Sequence, residues 1–381
     1  MEGGRSAWIN RKILSNPAVV WVGLISYPLY LFHWPALSFV HIVKGENPKP
    51  VYLIDALAVG FILTVFTYYF IEKRIRHHKS RWTLPILVVL FVLTGFAGFL
   101  ASSKLVKSHY TSPRSELLYH AAKDSDMLKG LAVVIKNGFF YVHKVGGNGP
   151  QTLFLGDSNM QQYAPRLLNL LKDNQAEERG AILMTENGML PLGNTVSNQS
   201  RDSSLLISSF KKELKTNNKI DRVVISSRWC TYFGKTSSWK TDGISLATLT
   251  GKQKALDELD TLLGTLFKQG KKVFLVLSIP TGSELDPKGI YPRNFLGYKE
   301  PKGRTLTKDA FLKKNGELLS EIASIGRQNG AEVIDPIDYL CTNGICITED
   351  ERGIPIRFDD GHLRPGYVRE RVKYLDGTVA P

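Results

Sequence analysis

Cysteine is scarce in this chain: three residues in 381, at Cys230, Cys341 and Cys346. The one close pair, Cys341 and Cys346, has no neighbouring histidine or third cysteine, which makes a poor zinc set. No glycine-rich phosphate loop or metal-ligand cluster is visible, and no internal repeat. Nothing resembles a cleavable signal peptide: Arg5, Arg11 and Lys12 precede an apolar stretch that lacks a small-residue cleavage site. Acidic residues are also in deficit, 35 against 49 lysines and arginines, for a net charge of +14. That surplus would suit a nucleic-acid binder, but no recognition motif accompanies it. The densest basic run, Lys73–Arg81, lies between two apolar stretches, as a cytoplasmic loop of a membrane protein does.

Apolar length is concentrated in the first quarter. Three stretches, about Val19–Val43, Val51–Ile71 and Leu84–Ala101, each approach the ~20 residues that cross a bilayer core. Arg5, Arg11 and Lys12 flank the first, and the Lys73–Arg81 run separates the second from the third. The connection between the first two holds only Lys44 and Lys49, partly balanced by Glu46. The positive-inside rule therefore puts the N-terminus and the second connection in the cytoplasm and everything after about Ser102 on the far side, the periplasm of a bacterium. Within the spans Asp55 is an intramembrane acid and so a functional candidate. His33 sits among Tyr27, Tyr30 and Trp34, where interface packing is as good an account as chemistry.

From Thr152 onward short apolar runs (Thr152–Leu155, Ala181–Thr185, Arg222–Ser226, Lys272–Leu277, Ala331–Ile334) alternate with helical patterns at about Met160–Lys172, Ser203–Lys215, Lys252–Lys268 and Lys308–Asn329. Strands alternating with helices predict a parallel sheet covered on both faces, with function at the C-terminal strand ends. The breaker Gly146-Gly147-Asn148-Gly149-Pro150 puts a boundary near residue 150, giving a membrane part (1–101), a linker or extension (102–150) and an α/β domain (151–381). Thr281–Thr307, rich in Pro, Gly and charge, reads as a long loop. The Asn343-Gly344 turn brings Cys341 and Cys346 together, and in an oxidising compartment they are expected to pair, leaving Cys230 as a buried free thiol.

Two motifs carry the chemistry. Leu155-Gly156-Asp157-Ser158 ends the first strand, and Asp359-Asp360-Gly361-His362 lies near the C-terminus. A serine nucleophile needs a base and a carboxylate to aim that base. Asp359, three residues before His362, is spaced to hold Nδ1 while Nε2 faces outward; Asp360 is the rival carboxylate. A helix opening at Ser158 would turn its amides on an oxyanion. Taken alone, Gly-Asp-Ser reads better as a helix cap formed by Asp157 or Ser158.

Gly-Asp-Ser after the first strand with Asp-x-x-His near the end resembles the SGNH/GDSL hydrolase superfamily over about Gln151–Tyr374. In addition, Ile25–Pro35 (ISYPLYLFHWP) is similar to the late transmembrane signature of acyltransferase-3 proteins, and Tyr68–Arg76 to the span that follows. The combination resembles the fused acyltransferase-3/SGNH proteins that O-acylate bacterial surface polysaccharides. The resemblance implies three transmembrane helices followed by an SGNH-like α/β/α domain. It implies acyl transfer, with acetyl expected, by Ser158, His362 and Asp359, and an oxyanion site at the amides of Ser158 and Gly188. The superfamily's third block supplies an asparagine, whereas this chain reads Ser226-Ser227-Arg228-Trp229; the fused subgroup often carries an Arg/Trp-containing block here, so the resemblance implies another role for Arg228 or Trp229 and leaves the third oxyanion donor open. Asn159 replaces a histidine sometimes found after the serine. The expected partners are a glycan acceptor such as a lipopolysaccharide, the bilayer, and an acyltransferase-3 membrane domain of which this chain carries only the last part. No cofactor is expected beyond an acyl donor such as acetyl-CoA, used by the complete system. The same residues would serve a periplasmic esterase, and the missing asparagine leaves room for a non-catalytic glycan-binding accessory.

Overall fold

The computed structural model describes residues 13–44, 48–77, 81–103, 113–137, 140–197, 202–291, 293–294, 297–298 and 305–381. Arg5, Arg11, Lys12, Glu46 and His78–Ser80 of the basic run lie outside the described residues, as do parts of the 102–150 segment and of the Thr281–Thr307 loop. The chain divides into two compact units: residues 1–115 with 291–301, and residues 116–290 with 302–381.

The first unit is helical. Helix α1 runs Pro17–Lys44, and α2 spans Pro50–Phe66 and continues through a π-helical turn, Thr67–Glu72, into Lys73–His77. Helix α3 is Thr83–Ser102. Two segments, Pro50–Arg76 and Thr83–Leu100, are long and apolar enough to cross a membrane. The first expected span is helical, but Pro28 and Pro35 lie within it, and its tyrosines, tryptophans and histidines dilute its apolar character. It is tied to α2 by the Trp21 indole N–H donating to the Tyr69 hydroxyl at 3.1 Å. His33 Nδ1 bonds the Leu29 carbonyl one turn back at 3.0 Å, a contact within its own helix. Asp55 is exposed on α2, near its start.

The second unit is built on a seven-stranded sheet. In chain order its strands are β1 (Val133–Asn137), β2 (Phe140–Gly146), β3 (Gln151–Gly156), β4 (Gly180–Thr185), β5 (Ile220–Ser226), β6 (Lys272–Val276) and β7 (Glu332–Ile334), arranged β1-β2-β4-β3-β5-β6-β7. The five strands from β3 to β7 are mutually parallel; β2 runs antiparallel to β4, and β1 to β2. The five expected strands are the parallel ones, displaced by a residue or two. The sheet also extends into the segment read as linker: β1 and β2 precede the Gly146–Pro150 breaker, which joins two strands of one sheet instead of separating two domains.

Every residue of β3 and β4 is buried, as a parallel strand covered on both faces must be. Side chains alternate between two cores. Leu153, Leu155, Ile182, Met184, Val223, Ile225 and Leu275 face helices α4 (Ser204–Thr216), α5 (Leu249–Lys268) and α6 (Lys308–Gln328). Phe154, Leu183, Val224, Phe274 and Val276 face the opposite layer, which includes Tyr163, Leu167, Tyr367 and Val368. Helix α5 starts three residues before the expected Lys252 because Thr248 caps it, its hydroxyl accepting from the Gly251 N–H. The helix expected over Met160–Lys172 is instead two pieces, Ser158–Gln161 and Ala164–Leu171. Pro165 has no N–H to continue a helix and sits in the first turn of the second piece.

Cys341 and Cys346 face each other across a two-residue hairpin turn, Asn343 (φ 51°) and Gly344 (φ 78°), and form a disulfide. Cys230 is a free, half-buried thiol that burial pushes up to about 11.

Candidate active site

The sheet order changes direction at β3: β4 lies on one side of it and β5 on the other. Chains leaving β3 and β5 diverge there, leaving a crevice at the C-terminal strand ends. Ser158 follows β3 and Arg228 follows β5. Gly156 makes the turn possible, since a Cβ at this position would lie 2.1 Å from the Ser226 carbonyl oxygen. No other residue fits between these paired strands.

Two hundred residues later the chain returns to this crevice. His362 Nε2 lies 2.7 Å from Ser158 Oγ, and its Nδ1 lies 2.9 and 3.0 Å from the two Asp359 carboxylate oxygens. Asp359 also accepts the backbone N–H groups of Gly361 (2.8 Å) and His362 (2.7 Å), so one carboxylate folds the turn and orients the ring. Burial would raise the Asp359 pKa. The hydrogen bond and charge of His362, with the two amides, outweigh that and hold it below the ordinary carboxylate value. The Phe358 ring stacks on the imidazole, centroids 5.5 Å apart and planes within 4°. The Leu363 N–H donates to Gln162 Oε1 at 2.9 Å, fastening the returning chain to the segment after Ser158. Both side chains keep some access to solvent, 15% for His362 and 28% for Asp359. Asp360, the rival carboxylate, turns away to Arg228, 3.4 Å from Nη2. Chemically this is a nucleophile within hydrogen-bond reach of a base that a carboxylate orients.

Asp157 does more than the capping that sequence alone allowed. Its Oδ1 accepts the Asn159 N–H at 2.8 Å, which is the cap. Its Oδ2 accepts from the Tyr232 hydroxyl (2.7 Å), the Arg228 N–H (3.1 Å) and the Ser227 hydroxyl (3.2 Å). The carboxylate is 1% exposed, and burial drives its pKa above the ordinary value despite these donors. It thus laces the β5 exit to the nucleophile turn. Sequence reasoning missed this; the signal available was a buried-type aspartate beside the serine, with hydroxyl residues Ser227 and Tyr232 flanking the third block.

Other expected residues have varied positions. Gly188 follows β4 with φ 63°, a left-handed conformation that favours glycine, in a turn closed by the Met189 N–H donating to the Glu186 carbonyl. Trp229 is fully buried, and its indole N–H donates to the Val276 carbonyl at 3.0 Å. Its side chain is a core group whose one donor is already engaged, so the indole is not available to a substrate. Arg228 is a quarter exposed, and its guanidinium lies against Gly361, the neighbour of His362. The helix at Ser158 is a single turn, so the summed dipole expected of a longer helix is missing, and individual donors must hold any oxyanion. Asn159 is buried, its Nδ2 3.5 Å from the Gly361 carbonyl.

The fold and this crevice describe an α/β domain with a serine site at the switch point of a parallel sheet. Residues 132–369 match the family described as the SGNH domain fused to AT3 domains, and the chain belongs to that family. A Staphylococcus aureus (strain COL) protein provisionally named an O-acetyltransferase is 45% identical over 73 residues, 19% of this chain and 12% of that protein. The O-acetyltransferase OatA of S. aureus (strain MRSA252) is 33% identical over 95 residues, 22% of this chain and 16% of its own length. The matches therefore span less than a fifth of these relatives. Among solved structures, the periplasmic domain of a Salmonella ser. Paratyphi A lipopolysaccharide acetyltransferase is similar at 15% identity and TM-score 0.44, covering 71% of this chain and 99% of that one.

Proposed function

We propose that this protein is a membrane-anchored O-acyltransferase whose SGNH domain passes an acyl group, acetyl in the first instance, to a hydroxyl of a bacterial surface glycan. The observation that carries the reading is the unbroken chain of short contacts from Ser158 Oγ through His362 to Asp359. Ser158 Oγ attacks the acyl carbon as His362 takes its proton. The donor's leaving group departs with that proton, leaving an acyl-serine. A sugar hydroxyl, deprotonated by His362, then attacks the acyl-serine and releases Ser158, which recovers the proton. Asp359 orients the imidazole and stabilises its charged form. The amides of Ser158 and Gly188 are the proposed oxyanion donors.

Membership in a family fused to AT3 domains and the two apolar helices support an inner-membrane anchor with the SGNH domain in the periplasm. The Cys341–Cys346 disulfide suits that oxidising compartment. We take α1 as a third span, the N-terminus as cytoplasmic, and the acyl donor, such as acetyl-CoA, as delivered through an acyltransferase-3 membrane domain. In cells with the complete system, Ser158→Ala should abolish glycan O-acylation, read as acetate released by mild alkali. Undiminished acylation would overturn the role of Ser158. With the purified chain, acylated glycan as product supports transfer; free acetate alone in the presence of glycan would make the enzyme an esterase.

A further inference from the structure

We propose that Arg228 supplies the third oxyanion donor, its guanidinium taking the place of the asparagine amide that the third block lacks. The inference rests on the acyl-transfer reading above and assigns a residue within it. Three observations converge. Arg228 is held next to both halves of the Ser158–His362 pair: its N–H donates to Asp157, the neighbour of Ser158, and its guanidinium packs on Gly361, the neighbour of His362. The Gly361 position is open for that purpose, because a Cβ there would lie 2.5 Å from the guanidinium carbon. Finally, the Arg228 side chain is a quarter exposed, and its contact with half-exposed Asp360 is long, 3.4 Å. A guanidinium held by so long a contact keeps N–H donors for an incoming oxygen. In this crevice the group that develops negative charge is the oxygen of the tetrahedral intermediate on Ser158. A guanidinium is a permanently charged, planar donor, suited to an oxyanion that no multi-turn helix is present to stabilise.

The position of Arg228 also allows a simpler role, bracing the Asp359–His362 turn through Asp360. Substitutions in the full chain, purified in detergent, separate the two. The readouts are p-nitrophenyl acetate turnover and inhibition by an aryl trifluoromethyl ketone, whose hemiketal oxyanion mimics the intermediate. Arg228→Ala keeps the backbone N–H that bonds Asp157. It should lower kcat about 100- to 1000-fold, the cost of one oxyanion donor, with KM within about threefold, and weaken the ketone in parallel with kcat/KM. Arg228→Lys should recover part of the loss. Asp360→Ala, which removes the brace and leaves the guanidinium, should stay near wild type. If Arg228→Ala costs less than threefold while Ser158→Ala is inactive, the oxyanion role is wrong and the triad reading stands. If Asp360→Ala reproduces Arg228→Ala, the residue is a brace. Turnover that survives Ser158→Ala would instead remove the reading beneath the proposal.

Discussion

Asp157→Ala tests whether the nucleophile turn depends on the buried carboxylate. Removing it takes the acceptor from the Asn159 and Arg228 amides and from the Tyr232 hydroxyl, at 2.8, 3.1 and 2.7 Å, and a weaker one from Ser227 at 3.2 Å. At somewhat over 1 kcal/mol for each of the three firm donors, the loss is about 4 kcal/mol. The variant no longer buries a carboxylate, a cost visible in the raised pKa of Asp157, and that relief offsets part of the loss. The net cost is then about 3 kcal/mol, which at roughly 3 kcal/mol per molar urea lowers the unfolding midpoint by about 1 M. Pulse proteolysis of the full chain across a urea series in mild detergent measures it. Tyr232→Phe removes one donor and should cost about 1 kcal/mol alone but almost nothing added to Asp157→Ala, because the bond is already gone. A loss below about 1 kcal/mol for Asp157→Ala, or full additivity of the pair, would refute the network argument.

Two further outcomes follow from the same structure. Because the Asp359 pKa is lower in the folded chain than its ordinary value, its contribution to stability is complete above the unfolded carboxylate range near pH 4 and is lost as pH falls through the lower folded value. Asp359→Asn should flatten that acid limb in urea midpoints measured against pH; an unchanged limb contradicts it. Cys341 and Cys346 are five residues apart, so their bond closes a short loop, and replacing both with alanine should cost about 2 kcal/mol in the same unfolding assay. No change in midpoint would mean that the Asn343-Gly344 turn alone holds the hairpin.

Much of the fold was legible because parallel strands buried on both faces must be short apolar runs, and the helices covering them must repeat at helical spacing. Thr152–Leu155 and Leu256–Leu263 carry those patterns without help from elsewhere in the chain. Strands β1 and β2 were not legible. They pair antiparallel at the sheet's edge, and the Gly146–Pro150 breaker beside them looks the same whether it joins strands or domains. Nor did the pattern of residues 160–172 expose the break before Ala164, where one proline outweighs a good apolar spacing.

For the site, the amino-acid sequence alone determined which groups are available: one Gly-Asp-Ser turn after a strand, one Asp-x-x-His, and an arginine, Arg228, just past the end of another strand. Those are local facts, set by spacing and residue chemistry. Tertiary structure decided which of them meet. Packing of the C-terminal segment brings His362 within 2.7 Å of Ser158 across 204 positions, assigns the imidazole to Asp359 and Asp360 to Arg228, and buries Trp229 in the core. No local rule carries that information, because contacts at such separation are set by how two faces of a sheet are covered, and a side chain's neighbours there belong to other elements.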